Sequence, residues 1–340
     1  MALISGDGFG YYGTSQVPLK WDGGTSQFQI LSTGGRNNGP RLRLTFPFGS
    51  GYVRRNLTSP LTTMIIGVRI NPESIDSALL HFRNFTNNAI HIALVLNGAS
   101  KIAIKRGGVN GTTIGLGSIS VPTNQYSYLE VKVVISSTIG SVEVRLNGAT
   151  VPDVIVSGIN TQTGASPNIE QFVLGADATY AGACSYNDLY VCDMSGTINN
   201  NFLGDIRIDT LIPNGDGFYQ QFTPSQGSQH HPLIDEILPD ITDFLSSSTT
   251  GQKETVFVTD IGTVNSIKAV QVNNYVQKSD AGLAQARNLL RSDSVDVNGA
   301  TVALSTNPFY ISTIFETTPA SVAWTQTTVN AVEIGLENVT

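Results

Sequence analysis

Alternation of apolar and polar residues, repeated Asn-Gly pairs and a scarcity of charge predict an all-β protein. A period of two sorts residues onto the two faces of a strand, whereas a helix repeats every 3.6 residues. Asn-Gly accepts positive φ at both central positions of a tight hairpin turn, so it marks where strands reverse. Only 13% of the 340 residues are charged, about half the ~25% usual in soluble chains. The remaining polarity is Asn, Ser, Thr and 34 Gly, while 40% apolar content supplies a core and excludes disorder.

The elements follow in order. Arg41–Phe46, Met64–Ile70, Ile90–Leu96, Lys101–Lys105, Tyr128–Ile135 and Ser141–Leu146 alternate and read as strands. Between and beyond them stand the turn pairs Asn97-Gly98, Gly107-Gly108, Asn110-Gly111, Asn147-Gly148 and Asn298-Gly299. Many short strands at steady spacing predict sandwiches of antiparallel sheets. The length exceeds what one core of roughly 250–300 residues accommodates, so two domains are expected, 1–200 and 201–340. The polar link Ser195–Gly204 separates them, and Asp205–Leu211 reads as the next strand. Pro232–Leu238, stopped by Pro239, allows one helical turn. Ser279–Leu290 holds helix formers, but Gly282 interrupts it and the flanks Lys268–Val276 and Ser294–Val297 alternate, so it reads as a turn entering a strand.

The 19 basic and 26 acidic residues leave a net charge of −7, which argues against nucleic acid because phosphate binding needs clustered Lys and Arg. No run of ~18 apolar residues offers a membrane-spanning helix, so no membrane partner is expected. The opening MALISGDGFGYYG has neither the basic region nor the apolar run of a secretory leader. On an extended segment Cys184 and Cys192 stand roughly 26 Å apart, beyond disulfide reach. Unbridged thiols and folding in a reducing cytoplasm are the expectation.

Chemistry-bearing motifs are few. Gly8–Gly13 fits GxGxxG, but Pro18 follows too soon for the helix that a dinucleotide site needs, and it reads as a turn. Paired acids would mark a glycosidase. Glu130 with Lys132 and Glu143 with Arg145 read instead as salt-bridge patterns, Asp235-Glu236 diverges on a strand, and Asp205, Asp209, Asp293 and Asp296 lie at turns or strand edges. No enzyme, no cofactor and no catalytic residue are expected. His81 and His91 fall on strands and read as packed or half-exposed. His230 and His231, in a polar loop, are candidates for contact with a ligand or partner. The tetrapeptide GDGF occurs at Gly6–Phe9 and Gly215–Phe218; its Asp7 and Asp216 suit either Ca²⁺ or Asx turns. Trp21, Tyr128, Phe172, Tyr190 and Trp324 read as core anchors. Tyr11 and Tyr12, in a glycine-rich loop, are interaction candidates because exposed aromatics are enriched at interface cores.

Asn187–Asp193, following Phe172–Ala176, resembles the closing strand of concanavalin A-like (laminin G-like) jelly rolls. The chain as a whole resembles a group of tailed-bacteriophage virion proteins. The matching motifs are Gly6–Gly13 with Lys20-Trp21-Asp22, then Phe202–Asp205 running into Thr210–Gly217 and Phe222–Ser225, then Lys268–Asn273 and Trp324 through Gly335. The resemblance implies an N-terminal concanavalin A-like jelly-roll β-sandwich followed by a second, C-terminal β-sandwich. It also implies a structural, tail-associated component such as a tail fibre or minor tail protein, made in the host cytoplasm and located in the virion. Its partners would be other virion proteins and copies of itself, a trimer being the expected homo-oligomer. The alternative is a glycan-binding receptor module, on a tail or head fibre, for host surface polysaccharide; a polysaccharide hydrolase on the same fold ranks third.

Overall fold

A computed structural model describes residues 2–25, 27–45, 51–176, 182–239 and 241–340. The chain divides into two compact units, Met1–Ile208 and Asp209–Thr340. Among the described residues nearly all regular structure is antiparallel strand, with two short α-helices, Val17–Lys20 and Gln326–Asn330. Phe46, the end of one expected strand, lies outside the described residues; the strand itself spans Arg41–Leu44.

Unit 1 is a sandwich of two antiparallel sheets. Its eight-stranded sheet runs Val154–Ile159, Gly140–Leu146, Ser127–Val134, Thr63–Pro72, Cys184–Cys192, Arg41–Leu44, Phe28–Leu31, with Leu3–Asp7 also pairing on Cys184–Cys192. The seven-stranded sheet runs Thr112–Ser120, Lys101–Arg106, Ala89–Leu96, Ser77–Asn84, Ile169–Ala176, Gly51–Leu61, Gly23–Gly24. Alternation turns one face of each sheet inward: Met64, Ile66, Val68, Leu129 and Val131 from the first, Leu80, Phe82, Ile92, Leu94, Phe172 and Leu174 from the second, all buried. Burying each such side chain stabilises the fold by roughly 1.5–3 kcal/mol. The Tyr186 hydroxyl crosses between the sheets and donates to the Leu79 carbonyl at 3.0 Å. At Asn147-Gly148 both residues have positive φ, 54° and 71°, and the Ala149 amide closes the turn onto Leu146 O, as a type I′ turn requires.

Segment 202–208 is not the strand expected at Asp205–Leu211. It is a strap across the outer face of the eight-stranded sheet. The Leu203 amide donates to the Tyr190 hydroxyl, the Gly204 amide to Glu130 Oε1, and the Ile208 amide to Asp188 Oδ1. Arg36 pairs with Asp188 and Asp205 and donates to the Ile206 carbonyl, while the Arg145 guanidinium lies 4.1 Å from the Phe202 ring. Polar side chains on the sheet thus satisfy the strap's amides in place of a neighbouring strand. Tyr190 lies so flat over Thr63–Pro72 that a Cβ at Gly67 would enter its ring, which is why glycine stands there. Glu130 is therefore bound by Tyr190 and the strap and not by Lys132, whereas Glu143 does bridge Arg145 at 2.7 Å. The core anchors Tyr128 and Tyr190 are buried, but they pack on this outer face and not between the sheets.

Unit 2 is a smaller sandwich. Its six-stranded sheet runs Pro213–Gln220, Lys253–Val258, Glu333–Asn338, Gln285–Ser292, Val295–Asn298, with Val302–Ala303 also pairing on Gln285–Ser292. A two-stranded sheet, Val270–Val276 with Phe309–Phe315, packs on it around Val258, Val272, Leu290, Phe315, Trp324, Val329 and Val332. The Trp324 indole N–H donates to Phe315 O at 2.8 Å. Ser279–Leu290 is a turn entering the strand Gln285–Ser292, and of Pro232–Leu238 only the start joins a 3-10 turn, His231–Leu233.

Candidate functional site

Of the aromatic pair expected at a surface, Tyr12 is turned inward and Tyr11 is half-buried. Tyr12 is buried; its hydroxyl donates to Asp7 Oδ2 at 2.7 Å and accepts from the Trp21 indole at 3.1 Å. Asp7 Oδ1 accepts the Phe9 amide at 2.8 Å, so Asp7 is an Asx turn in a buried network. Burial pushes the Asp7 carboxyl above its usual range, against the pull of Lys20, Tyr12 and the Phe9 amide. Burial likewise lowers the Lys20 ammonium to about 8, with Asp7 opposing. Tyr11 is half-buried, edge-on to Tyr12 at 5.0 Å and 5.1 Å from the Lys20 ammonium. The glycine-rich loop folds the unit's own end, which removes Tyr12 from any contact surface.

Of the histidine pair, His230 is buried and His231 half-buried. In unit 2 His230 is buried with Nδ1 2.8 Å from Glu254 Oε1, and His231 Nδ1 lies 2.9 Å from Asp216 Oδ1. Asp216 Oδ1 further accepts the amides of both histidines, and Glu254 Oε2 accepts the Phe222 amide. These bonds fasten the loop after Pro213–Gln220 to the sheet. Burial raises the Glu254 carboxyl, with Phe222 and His230 opposing. His81 and His91 are packed within unit 1, as expected of them.

What the structure does assemble is the face of the seven-stranded sheet turned away from the sandwich interior. Register aligns one residue from every strand: Gly23, Arg54, Val173, His81, Ala93, Lys105, Thr113. The next row joins Asn56, Gln171 and Arg83. Phe85, just beyond Ser77–Asn84, is 54% exposed with the Arg54 guanidinium 5.9 Å from its ring centroid. Gln171 is fully buried; its Nε2 donates to Asn56 Oδ1 at 2.6 Å, and its Oε1 has no hydrogen-bond partner. Arg54 Nε is likewise unpartnered. An exposed ring and a cation therefore adjoin, beside the exposed Asn56 that the buried Gln171 holds, a surface able to meet C–H groups and hydroxyls together. Among the described residues no three His, Cys, Asp or Glu side chains gather as a metal site would require.

Sequence reading missed Arg54, Asn56, Phe85 and Gln171. The only signal was a polar side chain every second residue at Arg54 and Asn56, masked by the intervening Arg55.

No family model and no curated protein matches the chain. Among solved structures it is similar to a sialidase (TM-score 0.34, 13% identity, 49% of this chain and 17% of that one). It is similar to domain 4 of an extracellular arabinanase from Geobacillus stearothermophilus in complex with arabinotriose (0.32, 21%, 50% and 76%). It is also similar to the winged bean acidic lectin complexed with methyl-α-D-galactose (0.34, 10%, 50% and 91%). The chain thus spans about a sixth of the sialidase and most of the other two.

Proposed function

We propose that the chain is a non-catalytic carbohydrate-binding module, with the face carrying Arg54, Asn56, Phe85 and Gln171 as its contact surface. The observation that carries this reading is the exposed Phe85 ring beside the Arg54 guanidinium. A sugar presents axial C–H groups to an aromatic ring and hydroxyls to a guanidinium, so one ligand satisfies both. Within that reading, the chain serves on a bacteriophage particle as a homo-oligomeric, tail-associated component. Support for that placement is the motif set Gly6–Gly13, Lys20–Asp22 and Phe202–Asp205, whose residues build the Asp7 network and the strap of unit 1.

A glycan array followed by NMR titration tests the surface. Binding by the native chain should fall about tenfold or more in Phe85→Ala, with no release of reducing ends. Equal binding by folded Phe85→Ala and Arg54→Gln variants would refute the surface. Mass spectrometry of purified particles tests the placement separately.

A further inference from the structure

On the outer face of the eight-stranded sheet, beside the strap, five buried polar atoms without a hydrogen-bond partner gather: Arg41 Nε, Arg69 Nη1, Asn71 Oδ1, Tyr126 Oη and Ser185 Oγ. Register explains the gathering. Asn71 stands opposite Ser185, and Ser185 opposite Arg43. Arg69 and Arg41 lie two residues along their strands from Asn71 and Arg43, so all share one face. Tyr126 precedes the adjoining strand Ser127–Val134, and the Arg69 guanidinium lies 4.2 Å from its ring centroid. Ser185 is fully buried, out of reach of bulk water.

The charges here do not balance. Arg36 has Asp188 and Asp205, and Arg43 grips Glu73 through two bonds of 2.6 Å. Arg41 and Arg69 have no ion pair with any described residue, although the chain as a whole carries −7. Burial, then Arg36, lowers the Arg69 guanidinium's affinity for its proton. Arg41 opposes the rise that burial imposes on the Tyr126 phenol, yet no hydrogen bond of sound geometry joins them. Unpaired buried donors are costly, and natural folds leave few. Here they stand together, with two cations that make no ion pair, Asp188 and Asp205 acting on Arg69 only through space.

We propose that this basin binds the oxyanion of an acidic saccharide, a carboxylate, sulfate or phosphate group. Arg41 and Arg69 supply guanidinium donors that match an oxyanion's paired oxygens. Tyr126 adds a hydroxyl donor. Asn71 Oδ1 is an acceptor, so the ligand must present a hydroxyl near its anionic group, as a sugar acid or sugar ester does. The basin lies on the opposite sheet from Phe85 and does not depend on the reading given to that surface.

Calorimetric titration of the full chain with sodium glucuronate, glucose 6-sulfate and glucose 6-phosphate, with glucose as the uncharged control, identifies the anion. At least one of the three should bind while glucose gives no heat at this site. Arg69→Gln should weaken that binding roughly tenfold and Tyr126→Phe less, with the exposed unit 2 variant Leu283→Ala unchanged, since charge-assisted bonds are about twice as strong as neutral ones. Arg69→Lys, which keeps the charge but loses the fork, should fall between and stands in if the Gln variant does not fold. Folded Arg69 variants with native affinity, silence from all three anions, or loss confined to Phe85→Ala would each overturn the proposal.

Discussion

In unit 1 the tetrapeptide Gly6–Phe9 turns its phenylalanine inward, whereas in unit 2 the same four residues, Gly215–Phe218, turn it out. Phe9 is fully buried and stacks on Trp21, ring centroids 6.2 Å apart. Phe218 is 67% exposed, over the Arg291 guanidinium at 4.3 Å, its amide donating to Glu333. The aspartates diverge too: Asp7 serves Phe9 and Tyr12 in a dry network, while Asp216 serves three donors from His230 and His231 at a half-buried edge. An Asp-Gly turn is a local device. What surrounds it decides whether it closes a core or ties down a loop.

The largest effect should follow from truncating the two phenylalanines. Phe9→Ala should lower the stability of unit 1 by about 3–5 kcal/mol, as buried Phe truncations do. Phe218→Ala should lower that of unit 2 by under about 1 kcal/mol. The chain's two tryptophans, Trp21 and Trp324, fall one in each unit, so denaturation followed by fluorescence in Trp324→Phe and Trp21→Phe backgrounds reads the units apart. Equal losses would break the contrast.

That contrast also marks what was legible beforehand. Strands such as Met64–Ile70 and Ile90–Leu96 could be read because core and solvent sort along them with period two. The strap could not: Asp205-Ile-Arg-Ile alternates as a strand would, but its amides are met by Glu130, Tyr190 and Asp188 from distant elements. The polar or glycine-rich surroundings of Tyr11, Tyr12, His230 and His231 describe a loop and not the direction its side chains take. The Arg54–Phe85 face and the Arg41–Arg69 basin depend on register between strands far apart in sequence, which no single segment encodes.

The strap gives a middle-sized effect confined to unit 1. Tyr190→Phe removes the donor to Glu130 and the acceptor of the Leu203 amide in one step. Losing a buried partner costs about 1–3 kcal/mol, so unit 1 should weaken by that much, unit 2 not at all, and proteolysis within 195–208 should accelerate. Unchanged proteolysis would mean that the strap is held by its other bonds, to Glu130, Asp188 and Arg36.

A subtler effect separates the aspartates by pH. Burial raises Asp7; for Asp216 burial acts the same way, but the His231 and His230 donors outweigh it and the carboxyl falls below 3.8. Asp7, raised on folding, favours the folded state below pH 3.8 and loses that contribution as pH rises through its folded value. Asp216 contributes above pH 3.8 and loses its share as pH falls through its folded value. Carboxyl-carbon NMR should therefore find Asp7 titrating above, and Asp216 below, the ordinary aspartate value. The same direction for both would erase the distinction.

The smallest expected signal is an absence of reaction, and it tests whether the units open independently. Cys184 and Cys192 both lie on one strand of unit 1, buried and unbridged, and unit 2 has no cysteine. Burial pushes the Cys184 thiol up to about 12, and only a thiolate attacks a disulfide reagent. The native chain should therefore resist thiol labelling. Any slow labelling that occurs measures opening of unit 1. Phe9→Ala and Tyr190→Phe should speed it, whereas Phe218→Ala should leave it at the native rate. Urea sufficient to unfold unit 2 by Trp324 fluorescence should leave both thiols protected. Labelling that instead tracks the Trp324 signal would show the units unfolding as one, and the contrast between the two tetrapeptides would then concern local geometry without separable stability.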